Sequence, residues 1–435
     1  MTAIFWHRRD LRFHDNAGLH QALSSKHPVK PIFIFDTAIL GKLRSKDDTR
    51  VTFIYSRLQK MKEEYQKLGS DLDVYYGKPV EIIKEILETQ KVSSLYTNHD
   101  YEPQAIDRDA QVEELCRSKG VEFKSYKDQV IFEKGEVLTD SKKPYTVFTP
   151  YKKKWLHLLS EPYLEEYKNE KLKKNLIQTK SPSRLIGLDA MGFQDNRGFK
   201  FFPSAKVAPT LLRSYKSSRD LPFEAGTSHL GLHLRFGTLS IRDLVKKALT
   251  ESETWLSQLI WREFFMQILF HYPHVEKSSF RPEYENIKWR KNSSDFKRWT
   301  EGTTGYPLVD AGMRELNTTG FMHNRVRMVV ASFLCKHLLI HWLEGERYFA
   351  SQLLDFDLAA NNGNWQWAAG TGCDAAPYFR IFNPEAQQKR FDPESKYIKK
   401  WVPEFESKDY PKPMVDHRFA RERALAEFKK GLKKD

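Results

Sequence analysis

Through the first 130 or so residues, apolar positions fall in short runs separated by amphipathic stretches. The runs at 2–6, 31–35, 71–76, 94–97 and 121–123 are rich in β-branched and aromatic side chains, the composition of buried strands. Between them, 49–68 and 107–119 carry helical periodicity, Pro79 opens another helix as a first-turn proline, and Gly120 stops the last one. Strands alternating with helices at this spacing predict an α/β domain with a parallel, Rossmann-like sheet covered on both faces. No GxGxxG follows the first strand, so the usual dinucleotide fingerprint is missing. Residues 131–200 are basic and poorly periodic and read as a connector with one helix, at 162–177. Beyond Pro209 the pattern turns helical at 240–251, 254–270, 306–317, 323–339 and 345–354, so 201–435 reads as all-helical.

Charge adds a partner class. A net charge of +14 suits a polyanion, because phosphates release counterions to Lys and Arg, although a soluble basic protein has the same balance. Cys116, Cys335 and Cys373 are too few and too scattered for a disulfide framework or a structural metal site, and no metal is expected. The opening MTAIFWHRRDLRF lacks the form of a signal peptide, and no apolar stretch is long enough to span a bilayer. The expectation is a cytoplasmic protein with no membrane partner.

Three helical-region segments hold more polar residues than a plain bundle needs. In GTSHL, Thr227 and Ser228 precede a helical stretch, where free N–H groups and hydroxyls suit a phosphate or an ordinary helix cap. In GFMHNRVRM, Asn324 and Met328 share a helix face, while Arg325 and Arg327 point elsewhere, one toward solvent or phosphate and one toward an inward carboxylate. In LDFDLAANNGNWQW, two acids, several amides and two tryptophans surround small residues that allow close approach to a flat ligand. Trp365 and Trp367 diverge if this segment is helical. Each segment alone also reads as ordinary structure.

Together these segments resemble the DNA photolyase and cryptochrome family, most closely the class I cyclobutane pyrimidine dimer photolyases of bacteria. TAIFWHRRDLRFHDNAGL is similar to the family's amino-terminal signature. WLSQLIWREFF, WTEGTTGYPLVDAGMRELNTTGFMHNRVRM and LLDFDLAANNGNWQWAAGTGCDAAPYFRIFNP resemble its flavin-domain signatures, and YPKPMVDHRFARERAL its carboxyl end. The resemblance runs from about residue 1 to 425 and is weakest at 155–200. It implies an antenna-chromophore domain at 1–130, the connector, and an FAD-binding and DNA-binding catalytic domain at 201–435. It implies light-driven repair of pyrimidine dimers in damaged DNA by electron transfer from reduced FAD, in a monomer.

By the same resemblance, Tyr215, Thr227, Ser228 and Leu230 would hold the phosphates and ribityl chain of FAD. Asp355, paired with Arg327, and Asp357 would be the flavin-domain acids, and Asn361 would face flavin N5. Trp261 and Trp367 would wall the lesion pocket, with Gln258, Asn324, Arg325 and Met328 on its substrate side. Arg219, Arg325 and Arg380 would meet the DNA backbone. Trp365, Trp342 and Trp289 would carry electrons from the surface to the flavin. Asn98 and Glu102, beside His99 and Tyr101, would contact an antenna 5,10-methenyltetrahydrofolate together with Lys277, with a deazaflavin, a flavin or an empty site as the alternatives.

This chain departs from the pattern at several of these places. Gln258 stands where class I enzymes carry Glu, and Gln also occurs in the (6-4) photolyase and animal cryptochrome branch. Yet MHNRVRM lacks the histidine pair expected of a (6-4) enzyme. His229 and Gly231 replace commoner basic and hydroxyl residues. A blue-light-sensing cryptochrome and a (6-4) enzyme therefore stand as alternatives, with the short stretch after the last motif favouring the enzyme.

Overall fold

The computed structural model describes residues 1–432. It contains two compact units. The first comprises 1–136, 158–206 and 230–250; the second comprises 137–157, 207–229 and the described residues from 251 onward.

The first unit is built on five parallel strands: β1 (Thr2–His7), β2 (Val29–Asp36), β3 (Asp73–Gly77), β4 (Val92–Asn98) and β5 (Glu122–Tyr126). Their order is β3-β2-β1-β4-β5, a doubly wound arrangement. Side chains alternate across the sheet. Ala3, Phe5, Val29, Phe33 and Phe35 enter one core layer, while Ile4, Trp6, Ile32 and Ile34 enter the other. Both layers are dry because helices cover both faces, which explains why the strands read as continuous apolar runs. The helix at Pro103–Ser118 begins earlier than its apolar periodicity, since Pro103 at its start presets the helical φ. Gly120 ends that segment at a φ of 69°, a conformation that strains any residue with a Cβ.

The connector departs from expectation. The α-helix foreseen at 162–177 is replaced by two 3-10 turns, Glu161–Leu164 and Asn169–Asn175. Tertiary anchors fix this backbone. The Asn169 side chain is buried and donates to the carbonyls of Phe13 at 2.7 Å and Asn16 at 3.2 Å. Leu176, Leu188, Met191 and Phe193 complete the core layer around Phe5, so 158–206 folds as part of the first unit.

The second unit is helical around a core that includes Trp299, Val309, Met313, Val330, Trp342, Phe349 and Trp365. The single helix expected at 323–339 is instead Asn324–Ser332 followed by a π turn, Phe333–His337. Within this wider turn, Lys336 is fully buried. Its Nζ donates to the Ala369 carbonyl at 2.6 Å and lies 3.5 Å from the centroid of the Phe428 ring. Burial lowers its pKa to about 7. All three cysteines are free and buried. Among the described residues, no helix is long and apolar enough to cross a membrane.

Candidate flavin and DNA site

The Leu358–Ala369 helix is the hub of the second unit. Asp357 caps its start, accepting from the Ala360 N–H at 3.1 Å. Because the segment is helical, its two tryptophans diverge as geometry requires: Trp365 is buried, and Trp367 stays partly exposed. Small residues let neighbours approach. A Cβ on Gly363 would lie 2.2 Å from the Phe265 ring, so the Glu253–His271 helix packs directly here. A Cβ on Gly345 would lie 2.2 Å from the Trp365 ring, which brings in the Trp342–Gln352 helix.

Asn361 sits at the centre of these contacts. Its amide nitrogen donates to the Glu346 carbonyl at 3.1 Å and to the Glu346 carboxyl at 2.8 Å. Burial pushes that carboxyl up to about 7, against the opposing pull of the Asn361 hydrogen bond. The bonds fix which way the amide faces. Among the described residues, its carbonyl oxygen has no protein donor, so it remains available to an N–H of a ligand. Sequence spacing gave no sign of Glu346, fifteen positions away on another helix.

The Asn324–Ser332 helix joins the hub through charge. Arg327 donates to both carboxylate oxygens of Asp355, at 3.2 and 3.1 Å, and its Nε donates to the Met322 carbonyl at 2.7 Å. His323 caps this helix with Nδ1, while its buried Nε2 has no partner among the described residues; burial lowers its pKa to about 4. Asn324 is exposed, and Met328 is half-buried.

Arg325 leaves the same helix in another direction. Its Nη2 bonds Asp220 at 3.0 Å, and its guanidinium lies 4.3 Å from the Phe391 ring centroid. Arg390, which sequence reasoning missed, lies 5.0 Å from that centroid. Arg219 lies 5.6 Å from the ring of buried Tyr215. Arg380 is exposed. Aromatic rings thus support Arg219, Arg325 and Arg390, and Asp220 partly neutralises Arg325 and Arg219.

On the Glu253–His271 helix, Trp261 stacks on Phe148 with ring centroids 3.7 Å apart and planes 9° from parallel. Phe148 comes from distant sequence and was not foreseen. One face of Trp261 is thus held, and the ring is partly exposed. Gln258, one turn earlier, donates weakly to the Thr254 carbonyl at 3.3 Å. Ser228 accepts from Trp255 Nε1 at 3.4 Å. Neither Thr227 nor Ser228 caps the short Gly231–Arg235 helix; Leu230 occupies its N-cap without a side-chain bond. Ring contacts link Trp342 to His341 at 5.6 Å and His341 to Trp289 at 5.2 Å. Trp342 is fully buried, and Trp289 is partly exposed.

Two of the three expected antenna residues lie in the first unit. Asn98 is buried, donating to Asp10 and Asn16 and accepting from Gly18 N–H, so both ends of its amide are engaged within the first unit. Glu102 pairs with Arg9 and Arg235. Lys277, in the second unit, is exposed.

A free carbonyl at Asn361, two helix-borne tryptophans and an Arg–Asp pair define a helical binding domain for a planar, polar-edged cofactor, attached in sequence to a doubly wound α/β unit. Comparison with known proteins agrees. The family model for the FAD binding domain of DNA photolyase matches residues 255–409, and that for DNA photolyase matches 3–169. The chain is 36% identical to the deoxyribodipyrimidine photo-lyase of Escherichia coli, with 99% of each chain covered. It is 35% identical to that of Halobacterium salinarum, with 98% of each covered. Its fold resembles a class III photolyase from Agrobacterium tumefaciens, with a TM-score of 0.86, 31% identity and coverage of 100% of this chain and 98% of that one. It also resembles a Sulfolobus tokodaii photolyase solved with two FAD molecules, with a TM-score of 0.82, 35% identity and coverage of 99% and 100%. This chain belongs to the DNA photolyase family.

Proposed function

We propose that this protein is a deoxyribodipyrimidine photo-lyase: it binds FAD in its helical unit and uses light to split cyclobutane pyrimidine dimers in damaged DNA. In this reading it acts as a cytoplasmic monomer. The observation that carries it is the Asn361 corner, where Glu346 from the Trp342–Gln352 helix holds the amide nitrogen and leaves the carbonyl oxygen open on the helix that carries Trp365. That acceptor fits the N–H edge of a reduced flavin and would favour that form.

The residues fit FAD in other ways too. The Arg327–Asp355 pair and Asp357 would hold its ring by charge, and Tyr215, Thr227 and Ser228 would hold its phosphates and ribityl chain. When bound, FAD supplies light-driven one-electron chemistry with no net redox change. The protein's part is to place and insulate the lesion. Trp261, backed by Phe148, and Trp367 wall a pocket for the flipped-out dimer, whose weakened pairing lowers the cost of flipping. Gln258 and Asn324 donate hydrogen bonds to the pyrimidine carbonyls, and Met328 floors the pocket. Arg219, Arg325, Arg380 and Arg390 neutralise backbone phosphates. Trp365, Trp342 and Trp289 form a path from core to surface that serves photoreduction.

The test is direct. Fully reduced protein is illuminated with DNA carrying one thymine cyclobutane dimer, and restored thymines are counted beside a parallel assay on a (6-4) photoproduct. Repair of the first alone is expected. A second reading, a light sensor without repair, draws on the similarity to a Synechocystis cryptochrome, with a TM-score of 0.82 and 26% identity. Bound FAD that photoreduces but splits no dimer would establish that reading instead.

A further inference from the structure

Two arginines of the helical unit, Arg325 and Arg219, lie against the same carboxylate. Asp220 Oδ1 lies 3.0 Å from Arg325 Nη2 and 3.8 Å from Arg219 Nε. The carboxylate is 39% exposed, while the side chains of Arg325 and Arg219 are 17% and 24% exposed. Each guanidinium also rests on an aromatic ring, Arg325 on Phe391 and Arg219 on Tyr215. Arg325 Nε is buried and has no partner among the described residues. A carboxylate on a face meant for phosphates opposes DNA binding, so its presence needs a compensating role.

We propose that Asp220 is a positioning residue that sets the preference for lesion-bearing over undamaged DNA. This rests on the reading of the helical unit as a repair enzyme. A free arginine follows any phosphate that passes, and such mobile charge drives non-specific binding. Asp220 and the two rings hold both guanidiniums in one arrangement. Regular duplex therefore meets arginines already partly neutralised and unable to track its backbone. DNA with the dimer flipped out has a distorted backbone, and phosphates that arrive where the guanidiniums are held bind them with little further ordering. The carboxylate thus weakens every encounter through its charge, but the loss is recovered only on the lesion complex.

The test measures dissociation constants for one duplex with and without a single thymine dimer, at several salt concentrations, using the FAD-loaded protein. Asp220→Asn keeps the shape and removes the charge. It is expected to tighten undamaged DNA at least threefold, to leave dimer DNA within twofold, and so to cut the ratio at least threefold. It is also expected to steepen the salt dependence for undamaged DNA by about one phosphate contact, a slope change of about 0.9. Asp220→Glu keeps the charge and displaces it by one methylene. It is expected to leave undamaged DNA unchanged and weaken dimer DNA about threefold. Equal tightening of both DNAs by Asp220→Asn, or wild-type behaviour of Asp220→Glu, would show that the carboxylate only repels DNA, overturning the proposal. Wild-type protein without any preference for the dimer would instead overturn the repair reading itself.

Discussion

Each unit contains a cluster of arginines and aspartates, and the two clusters are finished differently. In the α/β unit, Arg12 and Arg242 meet Asp15 and Asp128 with side chains no more than 5% exposed. Arg242 Nε lies 2.9 Å from Asp15, and its Nη2 donates to Asp128 at 3.0 Å and to the Asp15 carbonyl at 2.6 Å. Asp128 also accepts from the Ala17 N–H. Burial pushes the Asp128 carboxyl up, but the two guanidiniums outweigh it and hold it below the ordinary range. In the helical unit, the Arg325–Asp220 and Arg327–Asp355 pairs are each partly exposed. In the first cluster the charges are paired and almost wholly buried, and only Arg12 Nε lacks a partner among the described residues of that cluster. In the second, each pair keeps an exposed edge, which suits the recognition role proposed for it.

The sharpest way to break this contrast is to open the closed cluster. Arg242→Ala strips buried Asp15 of its guanidinium and leaves Asp128 with Arg12 alone, which costs about 3–5 kcal/mol. The expected outcome is a large loss in thermal stability of the α/β unit at neutral pH. The sign with pH follows from the depressed carboxyl of Asp128. Its contribution is present above its unfolded pKa and is lost as pH falls through the folded one. The gap between variant and wild type should therefore narrow in acid. A variant as stable as wild type at pH 7 would show that the closed cluster is not structural.

Asp355→Ala tests the other side. Arg327 is 25% exposed and can rehydrate, so folding should suffer little. Apoprotein affinity for FAD is expected to fall about tenfold, about 1.4 kcal/mol. Titration of flavin fluorescence measures it. A large loss of stability with unchanged FAD affinity would place this pair with the closed cluster.

What the sequence revealed follows the same division. The five strands were legible because a sheet buried on both faces needs apolar side chains at nearly every position. The 162–177 segment misled because its backbone is set by Asn169 reaching Phe13 and Asn16, contacts between residues about 150 positions apart that local pattern cannot encode. At the candidate site, the dense polar segments pointed to Asn361, Asp355 and Arg327. Glu346, Phe148, Asp220 and Arg390 went unseen. Glu346, Phe148 and Asp220 each act through a contact with another element, Arg390 rests on its own neighbour Phe391, and none lies in a segment whose composition looks unusual. The π turn at Phe333–His337 likewise leaves no mark in apolar periodicity, which continues through it.

Arg325→Ala should act on binding alone. Its ring and carboxylate contacts lie at a partly exposed edge, so the fold should persist. Affinity for dimer DNA is expected to drop about fivefold, about 1 kcal/mol, and the salt slope to flatten by about 0.9, the signature of one lost phosphate contact. Filter binding across a salt series reads both quantities. An unchanged slope would remove Arg325 from the backbone contacts.

Gln258→Glu should have the smallest effect, and it separates hydrogen bonding from charge at the lesion. Gln258 is half-buried, and its Nε2 makes only the long 3.3 Å bond to the Thr254 carbonyl, which little hinders a turn toward a ligand. A glutamine amide donates at every pH. A glutamate donates only when protonated, and its ionised form would face a pyrimidine carbonyl that gains negative charge as the electron arrives. Desolvation under a bound lesion raises a carboxyl pKa, so the variant would hold its proton over part of the working range. Wild-type repair per absorbed photon is therefore expected to be flat between about pH 6 and 8 with respect to this residue. The Gln258→Glu variant should match or exceed it at the acid end and fall below it, within about twofold, at the alkaline end. Thymines restored per photon across that range provide the measurement. A variant equal to wild type at every pH would mean that residue 258 does not touch the dimer. A uniform loss would mean that the glutamate remains ionised throughout, which places the pocket in contact with water even when the lesion is bound.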